Sequence, residues 1–167
     1  MAFVPRSVVV ALSALALTSC ASMSNRPTDE IVASIRQKER KVVRIAVPGT
    51  VEETIARLEQ KASACTPATI RSSGSMPSGS GGLVSVSPTI RQRLERGTTA
   101  AGETWLALRM DSVLHMVAFA VAIRQVDPTT LEVSAFPADA RKPDAIRQSV
   151  ESGTLFCDWR DFSYPYD

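Results

Sequence analysis

Acid–base chemistry near neutral pH has one candidate in this chain of 167 residues: His115, the sole histidine. A hydrolytic triad would need it beside both a nucleophile and a carboxylate. Asp111 is near in sequence, yet Leu114 and Met116 flank His115 in an apolar stretch, so it reads as a structural histidine, satisfied or half-exposed. With three cysteines besides, metal centres that need several histidines or a cysteine cluster are excluded, and no cofactor is expected. Glu52-Glu53 is accounted for by the start of a helix rather than by paired-carboxylate glycoside chemistry. The Gly/Ser-rich stretch Ser72 to Gly82 has no terminal Gly-Lys-Ser/Thr for phosphate and no Gly-x-Ser-x-Gly nucleophile turn, and reads as a flexible loop. Trp105, Trp159, Tyr164 and Tyr166 read as core or tail anchors, with a ligand groove as the alternative. No catalytic constellation emerges, and the chain is expected not to be an enzyme.

The cysteines carry a sharper signal. Arg6 precedes the apolar run Val8 to Leu17, and Thr18-Ser19 is a small-residue exit ahead of Cys20. Ten residues at 1.5 Å span about 15 Å, half the ~30 Å hydrocarbon layer, which favours a cleaved export signal over a transmembrane helix. Leu17-Thr18-Ser19-Cys20 resembles the lipobox of bacterial lipoproteins. That resemblance implies cleavage before Cys20, a diacylglycerol thioether on its sulfur and an acyl chain on its amine. Ala21, which is not Asp, implies the outer membrane, with the domain on its periplasmic face. The alternative is an ordinary secretory signal cut after a residue such as Ala21. Two or three acyl chains anchor stably where one does not. Cys65 and Cys157 then remain as an even pair in an oxidising compartment and read as a disulfide, the alternative being two buried free thiols.

Composition bounds the rest. A hydrophobic content of 44% with 22% charged residues argues against wholesale disorder, and a net charge of +2 is too balanced for a nucleic-acid-coating protein. The organisation expected is a signal peptide at 1–19, a lipidated tether with a short helix at 20–40, one α+β periplasmic domain at 41–160, and a tail at 161–167. Arg36, Lys38, Arg40, Lys41 and Arg44 read as a solvated helix end running into an edge strand, or else as a juxtamembrane basic patch.

Local patterns supply the elements. A β-branched run predicts a strand at 41–47, ended by Pro48-Gly49. Thr50-Val51-Glu52-Glu53 fits a capping box, and Val51, Ile55, Leu58, Ala62 and Cys65 share one face of a helix over about 51–65, which puts Cys65 on its buried side. Strands follow near 68–71 and from 83 onward, with Pro88 marking an edge or a break. The segment 113–126 is ambiguous in period. A strand is favoured, pairing about 116–126 with 131–137 across a turn at Asp127-Pro128. Pro143 and Gly153 bracket a helix at about 142–152, and Leu155 to Trp159 is apolar enough to dock.

The strand–helix–sheet–helix order over roughly 41–157 resembles helix-grip domains, antiparallel sheets around a C-terminal helix. That family includes carriers of apolar ligands and a lipoprotein subunit of the outer-membrane barrel assembly machinery. Three functions are therefore expected in order: an envelope lipoprotein that binds a partner protein or the envelope itself, a carrier of a lipid or other apolar ligand, and an enzyme. A cleft joining His115 to a carboxylate and a hydroxyl would favour the third.

Overall fold

The computed structural model describes residues 26–38, 41–71, 74–77, 83–86, 88–112 and 115–163. The signal segment, Cys20, Tyr164 and Tyr166 lie outside them. Elements run α1 (Thr28–Arg36), β1 (Val43–Pro48), α2 (Val51–Cys65), β2 (Thr69–Arg71), β3 (Gly74–Pro77), β4 (Leu83–Val86), β5 (Thr89–Thr98), β6 (Thr104–Asp111), β7 (His115–Asp127), β8 (Thr130–Phe136), α3 (Pro143–Ser152) and α4 (Trp159–Phe162). Six strands form one antiparallel sheet in the order β1-β8-β7-β6-β5-β2, which gives the expected α+β class.

Strand β7 is the ambiguous segment, and the sheet explains its composition. Every residue from Val117 to Ile123 is buried, because β7 lies inside the sheet and both of its faces are covered. It pairs with β8 from Ala120↔Phe136 to Asp127↔Thr130, across the predicted turn.

One face carries the larger core. Val43, Ile45 and Val47 of β1 share one core with Leu106, Leu108, Val121 and Ile123, to which α2 contributes Ile55, Leu58 and Ala62. The α2 cap forms as the sequence requires: Thr50 is extended and its hydroxyl accepts the Glu53 N–H at 3.4 Å. Helix α3 adds Ile146 and Val150 and ends at Gly153, whose φ of 84° is the left-handed cap. The chain then turns Leu155 and Phe156 inward, with Phe156 edge-on to Phe119 at 6.0 Å.

The other face is closed by α1. Val32 packs onto a floor of Ala107, Ala120 and Ala122, rimmed by Trp105, Val117 and Phe136. Alanines let a helix approach the sheet closely. A nine-residue helix is too short to persist in water by itself, so this burial holds it. Both ends are also pinned. Arg36 makes a two-pronged ion pair with Glu103, and Thr28 donates its hydroxyl proton to Glu95 while accepting from Arg109 at 2.8 Å.

Two expectations need correction. The stretch from Ser72 to Gly82 is not loop throughout: β3 lies within it and pairs with β4 in a separate two-stranded ribbon, from Gly74↔Val86 to Pro77↔Leu83. Valines on β4 supply the strand preference that Gly and Ser lack, and Pro88 separates the ribbon from β5. The second concerns Cys65 and Cys157, which the structure brings to disulfide distance, S–S 2.07 Å and Cα–Cα 5.6 Å. They meet at the surface, not in the interior: Cys65 is exposed and Cys157 half-buried. The buried stripe of α2 ends at Ala62, and the last turn overruns the core.

Closing a separation of 92 residues constrains the unfolded chain strongly. Cys157→Ser is expected to cost ~2–5 kcal/mol in denaturant unfolding, with mass spectrometry of the unreduced protein showing the bridge only in the parent. A second expectation concerns the floor beneath α1. Gly97 sits directly opposite Trp105, and a methyl group at its Cα would lie 2.3 Å from the indole ring. Gly97→Ala should therefore cost ~1–3 kcal/mol and raise amide exchange across α1, as the indole is pushed against the helix.

Candidate functional site

Helix α1 covers only part of its face, and the uncovered part is polar. Direct antiparallel pairing sets Thr69, Arg91, Asp111 and His115 side by side across β2, β5, β6 and β7. Two residues along, Arg93 stands opposite Arg109, and on the outer side Arg71 stands opposite Thr89. Strand periodicity places all of them on the α1 face. Thr69, Thr89, Arg91, Arg93, Asp111 and His115 border an open groove of about 760 Å³ that also takes in Ala68, Gln92 and Ser112.

Two arginines directly opposite each other repel, and two carboxylates offset this. Arg93 Nε lies 2.7 Å from Glu95 and 3.4 Å from Asp111. Arg109 Nε donates to Asp111 Oδ1 at 2.8 Å, and its Nη1 is 3.8 Å from Glu95. His115 Nδ1 is 2.6 Å from Asp111 Oδ1. A carboxylate only accepts, so Nδ1 carries the proton of this hydrogen bond. Burial pushes the Asp111 pKa up, but hydrogen bonds from Arg109 and His115 and the charges of Arg109 and Arg93 outweigh it and hold the carboxyl below its ordinary range.

Asp111 is thus committed to Arg109, Arg93 and His115 and forms no ion pair with Arg91, its direct neighbour in the sheet. Among the described residues neither Arg71 nor Arg91 has an acidic partner, and both are exposed. The chemistry on offer is recognition of an anion by guanidinium and hydroxyl groups, beside a histidine that is half-exposed as expected.

A second open groove, about 710 Å³, runs along α1 over Trp105, Val32, Thr98 and Ala100. Trp105 is a core residue at 6% exposure, and Trp159 packs against the larger core with Arg160 5.4 Å above its ring. Of the basic run, Arg36 is engaged by Glu103, whose hydrogen bond raises the arginine pKa against the cost of burial. Arg44 projects from the edge strand β1, and Arg40 is outside the described residues.

Sequence reasoning found His115 and Asp111 but missed the arginine row. The alternation of Arg91 and Arg93 around Gln92 was visible, but their neighbours depend on the register of β5 with β2 and β6. Compared with known families, curated proteins and solved structures, the chain matches none.

Because the Asp111 pKa is depressed on folding, its contribution is present above the ordinary carboxylate value near 4 and lost as pH falls through the lower folded value. Asp111→Asn is expected to lower stability by ~1–3 kcal/mol at neutral pH, and the two unfolding curves should converge in acid. Parallel curves at every pH would contradict the arrangement.

Proposed function

We propose that this chain is a lipoprotein held at the periplasmic face of the outer membrane by acyl chains on Cys20, and that its domain is a non-catalytic binding module of the envelope. The observation that carries this reading is the Leu17-Thr18-Ser19-Cys20 box standing eight residues ahead of the docked start of α1. Two further features support it. The surface pair Cys65–Cys157 suits an oxidising compartment. The apolar parts of both sheet faces are packed against helices, and the two grooves described are open, which favours surface recognition over carriage of an apolar ligand inside the domain.

One observation favours an enzyme instead: His115, Asp111 and the hydroxyl-bearing Thr69 and Ser112 share one groove. In a hydrolytic triad the carboxylate stabilises the imidazolium that forms during the reaction. Here the Asp111 charge is already compensated by Arg109 and Arg93, so it offers His115 little of that help. Recognition is the better use of the site.

The anchor is tested by feeding cells a labelled fatty acid. The parent chain is expected to carry label and partition with detergent, and Cys20→Ala to do neither. Equal labelling of the two would overturn the reading.

A further inference from the structure

We propose that Arg71, Arg91 and Arg93 form a docking surface for the phosphates of anionic phospholipid headgroups on the membrane that holds Cys20, an inference that rests on reading Cys20 as the anchor. Charge is the first argument. Arg71 and Arg91 are exposed cations without an acidic partner among the described residues, and Arg93, exposed beside them, is paired with Glu95 and Asp111. Thr69 and Thr89 stand directly opposite Arg91 and Arg71, both exposed. A guanidinium with an adjacent hydroxyl matches phosphate oxygens in geometry and charge.

Direction is the second argument. Thr28, the first residue of α1, touches Glu95 and Arg109, while Arg36 at its far end touches Glu103 beside the β5–β6 turn. The helix therefore runs from the middle of β5 toward that turn, so its N-terminal end faces the end of the sheet where Arg93, Arg91 and Thr89 lie. Thr89 is about 20 Å along β5 from Glu95. Eight residues from Cys20 to Thr28 reach roughly 25 Å, enough to carry the anchor past that end of the sheet. The tether is thus long enough to bring a bilayer to the arginine row, with the exposed Arg26 on the tether side of α1. The β3–β4 ribbon is inserted in the chain between the paired residues Arg71 and Thr89, so Met76, Leu83, Val84 and Val86 flank the row in sequence.

The test uses the full mature chain with Cys20→Ser, free of lipid, and sedimentation with phosphatidylcholine vesicles with or without phosphatidylglycerol. Binding is expected only with phosphatidylglycerol and should weaken with salt. Arg71→Gln with Arg91→Gln should lower partitioning about 30-fold, whereas the corresponding double lysine variant should stay within about threefold of the parent. Lys61→Gln with Arg147→Gln, on the helices of the opposite face, should also stay within about threefold. Equal binding to both vesicle types, or equal loss from the two glutamine pairs, would overturn the proposal. So would release by inorganic phosphate at constant ionic strength, which would assign the row to a free anion. No lipid is on this chain, so failure here leaves acylation of Cys20 standing, and failure of acylation leaves the vesicle result intact.

Discussion

Strands β6 and β7 are apolar on both faces, and the rest of the molecule follows from the need to keep both dry. Leu106, Leu108, Val121 and Ile123 point one way, and Trp105, Ala107, Ala120 and Ala122 the other. A two-layer fold would leave the second set in water. Helices α2 and α3 with the Leu155–Phe156 turn close the first face, and α1 alone closes the second. The segment before β1 is therefore a structural layer, although its sequence looks like the tail of a tether.

The size of that layer decides where recognition can occur. Nine residues of helix extend about 13 Å, less than the length of β5 or β7, so one end of the sheet stays uncovered. A bare sheet face must be polar, and here it is built from cross-strand arginines and the two carboxylates that keep them apart. Asp111 stabilises this end by holding Arg109, Arg93 and His115 at once. The same commitment leaves Arg91 without an acidic partner among the described residues, so the electrostatics that hold the sheet end together also leave a cationic group exposed.

Local signals made most of the fold legible. The Thr50 cap, the Val51-to-Ala62 stripe, Pro143, Gly153 and the turn at Asp127-Pro128 each act within a few residues and could be read from the sequence. Cys65 was misjudged because a helical stripe says which side of a helix faces inward but not where the core beneath it stops. Strand β3 escaped notice because its stability comes from a partner, not from its own glycines and serines. The arginine row was invisible for a deeper reason. Its members come from β2 and β5, and a shift of one residue in their registers would send them to the other face.

Helix α1 is a permanent layer of the fold, docked through Val32 and pinned at both ends. Amide hydrogen exchange on the mature chain without its lipid tests this most directly, read at Ile31 to Gln37 and at Val117 to Ile123. A docked α1 predicts strong protection at its hydrogen-bonded amides, including the Ile31 N–H held by the Pro27 carbonyl and the Gln37 N–H held by Ala33. Exchange of those amides at the rate of an unstructured peptide, with β7 still protected, would contradict it.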